Sequence, residues 1–151
     1  MIIIGTEEEI NSKIKSLSNE KLLKNSYGKP YYNNSNIKFN KSNTINKSVL
    51  IIENNDCGID IEKVRKYDEV MAKRILSSDE YTFINNNDRD LYFTILWTLK
   101  ESYFKCIGTG INLNLKDYSF IENNEILKVK DNYKLNYFIF EDYIISYTIK
   151  I

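Results

Sequence analysis

Histidine is missing altogether from this 151-residue chain, and that absence excludes more chemistry than any other feature of its composition. Without an imidazole there is no Ser-His-Asp triad, no Cys-His pair, no His-Glu-x-x-His zinc site and no proton shuttle titrating near neutrality. Acid–base work then falls to carboxylates, lysine, tyrosine or water. Cysteine is nearly as scarce: Cys57 and Cys106 are the only two, and no Cys-x-x-Cys occurs. Two scattered thiols make neither a zinc site nor a disulfide framework, and they suit a reducing cytoplasm. Net charge is also lacking, with 21 basic against 21 acidic side chains. That balance argues against bulk electrostatic capture of nucleic acid or of an anionic membrane. No apolar run approaches the roughly 18 residues of a membrane span. Met1–Ile4 passes directly into acidic Glu7-Glu8-Glu9, with no basic segment ahead of it, so no signal peptide is expected.

What the chain does hold is core material. It is 42% hydrophobic, with 12 Tyr, 7 Phe and 1 Trp. A chain of this length buries roughly 68–70% of its unfolded surface, as one domain or as two small halves sharing a core. Met1–Ile4 reads as a strand, and Thr6 with Glu9 forms a capping box opening a helix through Ile10, Ile14 and Leu17, with Leu22 and Leu23 in a further turn. Residues 25–47 read as loop, interrupted by an extended piece at Ile37–Asn40. Val49–Ile52 and Gly58–Ile61 read as a hairpin turning at Asn54-Asn55-Asp56. Ser77 starts a short helix that Asn85-Asn86-Asn87 closes. A long helix opens at Asp88 and stops at Gly108, with the apolar stripe Tyr92, Leu96, Leu99, Tyr103 and Ile107. From Asp117 the chain alternates, with turns at Asn123-Asn124 and Glu141-Asp142. Helices followed by an antiparallel meander give an α+β fold.

Two segments carry candidate chemistry. In Gly58-Ile59-Asp60-Ile61-Glu62 the isoleucines point to one side of a strand, while Asp60 and Glu62 share the other, about 7 Å apart. Taken alone, that is an ordinary half-buried strand. On the long helix Trp97, Glu101 and Lys105 recur every four residues and line a face distinct from the apolar stripe. Taken alone, Glu101 and Lys105 are a surface ion pair of about 0.3–0.5 kcal/mol. Together, Asp60, Glu62 and Glu101 could converge where strand meets helix. Oxygen ligands without histidine or cysteine select Mg²⁺ or Mn²⁺ over zinc, and Lys105 would meet a phosphate there.

These segments resemble the 4′-phosphopantetheinyl transferase superfamily. GIDIE at 58–62 is followed by W-T-L-K-E-S-Y-F-K at 97–105 and G-T-G at 108–110. Tyr27-Gly28-Lys29-Pro30 and Phe39-Asn40-x-Ser42 match what the larger, surfactin-synthetase-associated type carries upstream. The resemblance implies two pseudo-symmetric halves, each a small antiparallel sheet packed on a long helix, here divided as a shortened 1–56 and a catalytic 57–151. It implies transfer of the phosphopantetheine arm of coenzyme A to a serine of an apo-acyl or peptidyl carrier protein, by a cytoplasmic monomer. Asp60, Glu62 and Glu101 are the implied Mg²⁺ ligands, with Mn²⁺ as a substitute. Glu101 is the implied base, Lys105 a catalytic phosphate contact, and Lys29, Ser42 and Asn43 coenzyme A contacts. Glu80 is carried over as a residue near the metal. Asn43 stands where that type has a histidine, and the region before GIDIE is short, so the coenzyme A side is the eroded one. Two other readings use the same carboxylates: a non-catalytic relative that binds coenzyme A or a carrier protein, and an unrelated Mg²⁺ phosphohydrolase.

Overall fold

The computed structural model describes residues 1–110 and 114–151. It begins with strand β1 (Ile2–Gly5) and helix α1 (Glu7–Ser16). The Thr6 hydroxyl accepts from the Glu9 amide while the Glu9 carboxylate accepts from the Thr6 amide, so the expected capping box is present. α1 buries Ile10 and Ile14. Leu23 does not extend the helix. It lies in the two-residue strand β2 (Leu23–Lys24), paired with β3 (Pro30–Tyr31). β4 (Lys38–Asn43) outlasts the short extended piece read from sequence. With β5 (Ser48–Glu53) it completes an antiparallel sheet ordered β1-β5-β4.

The second sheet is ordered β6-β11-β10-β9. It comprises β6 (Cys57–Lys63), β9 (Val129–Lys130), β10 (Tyr133–Phe140) and β11 (Tyr143–Lys150). β5 and β6 are therefore not a hairpin; Asn54-Asn55-Asp56 carries the chain from one sheet to the other. The reason is burial. Val49 and Ile51 pack against Ile59, Ile61 and Ile145 in one interior between the sheets, so the two strands meet through side chains rather than through backbone hydrogen bonds.

Between β6 and the rest of its sheet come α2 (Glu69–Ile75), α3 (Ser78–Asn85) and α4 (Arg89–Ile107), capped by Asp68, Ser77 and Asp88. α4 ends at Gly108, whose φ of 82° is the left-handed conformation a glycine adopts freely. A 3₁₀ turn (Leu115–Asp117) leads to the hairpin β7 (Ile121–Glu122) and β8 (Glu125–Ile126). Asn123 and Asn124 both have positive φ there, as a tight two-residue hairpin turn requires. α4 packs on the second sheet and centres the largest core, with Phe93, Leu96, Leu99 and Phe104 fully buried. The fold is α+β, built of antiparallel sheets and helices.

Candidate active site

The close seating of α4 on β6 begins with Gly58. A Cβ at that position would lie 2.0 Å from the Ser102 carbonyl oxygen and 2.4 Å from the Cys106 amide nitrogen. Only a residue without a side chain lets the helix come this near. Two hydroxyl pairs hold it there: Thr98 with Ser146 at 2.6 Å and Ser102 with Thr148 at 2.9 Å. Ser146 and Thr148 stand in register with Asp60 and Gly58 on the neighbouring strand. The sheet face that meets the helix is thus polar at this end, and the carboxylates of β6 belong to it.

The first half reaches the same place. Asn40 Oδ1 accepts from the Ile59 amide at 2.9 Å, and Ser42, two residues along β4, donates to Asp60 Oδ1 at 2.8 Å. Lys105 Nζ lies 2.6 Å from the same Oδ1 and 3.0 Å from Ser42 Oγ. Asp60 is only 4% exposed, and its other oxygen, Oδ2, is buried with no hydrogen-bond partner among the described residues. Glu101 is 9% exposed. Burial, then the neighbouring charge of Asp60, pushes its carboxyl up to about 7, against the pull of Lys105. Glu62 is raised as well, by burial and then by Asp60. The Trp97 indole N–H, which completes no hydrogen bond among the described residues, lies near enough to favour the charged form of Glu62.

The structure therefore brings Asp60, Glu62, Glu101, Lys105 and Ser42 together. It turns other candidates elsewhere. Asn43, the next residue of β4, faces away from Ser42, and its amide donates to Glu7 at 3.1 Å. Lys29 lies in the walls of two cavities of about 300 and 280 Å³. Its ammonium rests on the carbonyls of Cys57 and Cys106 at 2.9 and 3.3 Å. The second cavity runs from Lys29 and Tyr27 to Lys41 and Lys105. Glu80 is not part of this cluster. It is completely buried in an ion pair with Lys100 at 2.8 Å and accepts from the Ser77 and Phe120 amides. Lys100 also donates to the carbonyls of Ile75, Leu115 and Tyr118. This pair ties α3 and the 115–120 segment to α4, and the expectation that placed Glu80 near a metal is corrected accordingly.

Asp60, Glu62 and Glu101 offer the oxygen donors that a hard divalent cation takes. Among the described residues, no three His, Cys, Asp or Glu side chains are gathered tightly enough to enclose an ion as they stand. The chemistry nevertheless fits. Asp60 Oδ2 is a buried oxygen without a partner among the described residues, and Glu101 and Glu62 are both raised by burial and then by the charge of Asp60. A hard cation would relieve both features.

A family model of the 4′-phosphopantetheinyl transferase superfamily matches residues 56–148, more than half of the chain. The chain belongs to that superfamily. Among its curated relatives, the 4′-phosphopantetheinyl transferase gsp of Aneurinibacillus migulanus is 34% identical over 136 residues, covering 85% of this chain and 56% of that protein. The 4′-phosphopantetheinyl transferase Sfp of Bacillus subtilis is 35% identical over 97 residues, 62% of this chain and 43% of the relative. The crystal structure of Thermotoga maritima holo-[acyl-carrier-protein] synthase superposes with a TM-score of 0.51 at 26% identity, covering 63% of this chain and 62% of that one. The chain spans about half the length of the curated relatives it matches. Within this superfamily member the matched segment holds Asp60, Glu62, Glu101 and Lys105, whereas Lys29, Ser42 and Asn43 precede it.

Proposed function

We propose that this chain transfers the 4′-phosphopantetheine arm of coenzyme A to a serine of an acyl or peptidyl carrier protein and releases 3′,5′-ADP. The observation that carries the proposal is the convergence of Asp60 and Glu62 from β6 with Glu101 and Lys105 from α4, Lys105 also lining a cavity walled by Lys29. In this reading Asp60, Glu62 and Glu101 hold Mg²⁺, or Mn²⁺ in its place, and the cation neutralises the pyrophosphate of coenzyme A when bound. Glu101, buried beside Asp60, is the base in this reading. It takes the proton of the serine hydroxyl as that oxygen bonds to the phosphorus bearing the pantetheine arm. The bond from that phosphorus to its bridging oxygen breaks, and the electron pair leaves with 3′,5′-ADP. Lys105, released from Asp60, stabilises the charge on the departing phosphate. Lys29 and Ser42 line the path of the nucleotide. Asn43, held by Glu7, supplies no positive charge to it.

The division is proposed at residue 56, with 1–56 as the shortened half and 57–151 as the catalytic one. One chain supplies both walls of the cleft, so the transfer needs no second copy. No helix among the described residues is long and apolar enough to cross a membrane, and both cysteines are free and buried, as in a cytoplasmic protein. Because Lys29 and Asn43 are both engaged within the chain, a second reading is a relative that binds coenzyme A or a carrier protein without transferring the arm. Intact-mass spectrometry of an apo-carrier protein incubated with coenzyme A, Mg²⁺ and this chain separates the two. A mass gain of one phosphopantetheine, absent with Glu101→Ala, supports transfer. No gain across several carrier proteins, with coenzyme A still bound, would establish the binding module.

A further inference from the structure

β6 forms one edge of the second sheet, with β11 as its strand neighbour. Bonds from the Lys150 amide to the Asp56 carbonyl and from the Val64 amide to the Asp142 carbonyl set its parity. Even-numbered residues turn their N–H and C=O to β11, and odd-numbered ones turn them outward. Among the described residues no strand covers that outward edge. Two side chains of the first half reach it instead. Lys29 Nζ donates to the Cys57 carbonyl, and Asn40 Oδ1 accepts from the Ile59 amide at 2.9 Å. Ile59 is fully buried and Asn40 is 5% exposed, and a buried amide left without a partner is costly. Asn40 and Ser42 lie two apart on β4, so they share a face and address consecutive residues of β6. Asn40 takes the amide of Ile59, and Ser42 takes the carboxylate of Asp60.

We propose that Asn40 is a positioning residue for the cation site, acting on Asp60 through the backbone of Ile59. This role rests on the reading of Asp60, Glu62 and Glu101 as cation ligands. α4 fixes β6 from the face, where Gly58 meets Ser102 and Cys106, and β11 fixes it along one edge. Asn40 closes the other edge, one residue before Asp60. Consecutive Cα atoms are about 3.8 Å apart and rigidly linked, so a shift of the Ile59 backbone is carried into Asp60. Ser42 and Lys105 occupy Asp60 Oδ1, which leaves Oδ2 as the oxygen for the cation. Mg²⁺ demands a near-ideal arrangement of oxygens, and such a ligand set works when it is held to within about 0.5 Å. Ser42 therefore orients the carboxylate itself, whereas Asn40 fixes the strand that carries it. Without the Asn40 acceptor, β6 has to move or admit water at this edge to satisfy the Ile59 amide, and Asp60 moves with it.

Calorimetric titration of Mn²⁺ into the whole chain tests this. Asn40→Leu, similar in size but without an acceptor, is expected to weaken Mn²⁺ binding about 10–100-fold, as loss of a group that orients a metal ligand does. Where Asn40→Leu does not fold, Asn40→Ala carries the comparison. Asn40→Asp keeps the acceptor and is expected to bind Mn²⁺ at least as tightly as the native chain. Leu50→Ala controls for plain destabilisation, because Leu50 is buried against Ile10, Ile14 and Phe39 on the α1 face of the first sheet. It is expected to lower the urea midpoint while leaving Mn²⁺ affinity within about twofold of native. Weakening in Asn40→Leu, recovery in Asn40→Asp and no loss in Leu50→Ala support the role. Native affinity in a folded Asn40→Leu overturns it, as does an equal loss in Asn40→Asp or Leu50→Ala. A native chain that binds no Mn²⁺ overturns the cation reading itself, and the role of Asn40 falls with it.

Discussion

Glu101 and Lys100 are neighbours on α4 whose environments push them toward opposite duties. Glu101 is raised from 4.5 to about 7 by burial and by Asp60. Between those values the folded chain keeps a proton that the unfolded chain has lost, so this group's contribution makes stability fall as pH rises. Above about pH 7 the cost is present in full; below about pH 4.5 it is absent. Metal-free Glu101→Gln is therefore expected to be more stable than the native chain near pH 8, with the difference vanishing below about pH 4.5. Urea titrations across that range check it, and a gap that is constant with pH would contradict it. Glu62 is shifted in the same sense in both proteins and largely cancels. Lys100, by contrast, is fully buried on Glu80 and three carbonyls. Lys100→Met leaves Glu80 as a buried unpaired charge and is expected to cost about 3–5 kcal/mol, read as a drop in the urea midpoint. Spacing alone could not assign that role. A lysine is normally expected on the surface, and only the carbonyls arriving from three other segments show that this one is enclosed.

Among elements, the decisive contact is α4 on β6. Gly58→Ala would place a methyl inside the Ser102 carbonyl, and overpacking of this kind costs about 1–3 kcal/mol or more. Because the displaced strand carries Asp60 and Glu62, the same substitution is expected to lower Mn²⁺ affinity, measured by titration calorimetry on the folded fraction. An unchanged affinity in a destabilised protein would separate packing from the site. The ends of α4 were legible in sequence because Asp88 and Gly108 are local signals acting within one turn. So was the alternation of β6, with Ile59 and Ile61 buried on one side and Asp60 and Glu62 turned to the other. The partner of β5 was not legible. A continuous apolar run can bury itself by pairing or by stacking, and the Asn-rich connection after it fits either. The strand at Leu23 was not legible for a related reason: two adjacent leucines have no periodicity that tells a helical turn from a short strand.

At the scale of the molecule, the two sheets share the interior in which Val49 and Ile51 meet Ile59, Ile61 and Ile145. Residues 57–151 by themselves would expose that apolar face. The fragment is expected to aggregate or remain unfolded, and to recover a cooperative transition only when residues 1–56 are supplied. Circular dichroism melts of fragment and whole chain test this, and a fragment melting like the parent would show the halves to be independent. Asn40 and Ser42, which bond to Ile59 and Asp60 across the same junction, make the first half part of the site as well as of the core. The short region before residue 57 is therefore still needed, even though its Asn43 has turned to Glu7.

By itself the sequence determined which chemistry is open to this protein. The lack of histidine, the alternation in GIDIE and the four-residue spacing of Trp97, Glu101 and Lys105 confine it to carboxylates and lysines, because residue type and local periodicity act over a few residues. Only the tertiary structure decided that Glu80 is a buried anchor for Lys100 and that Lys105 and Ser42 share one oxygen of Asp60. Each of those depends on groups far apart in the chain, and their meeting is set by how two sheets and a helix exclude water together.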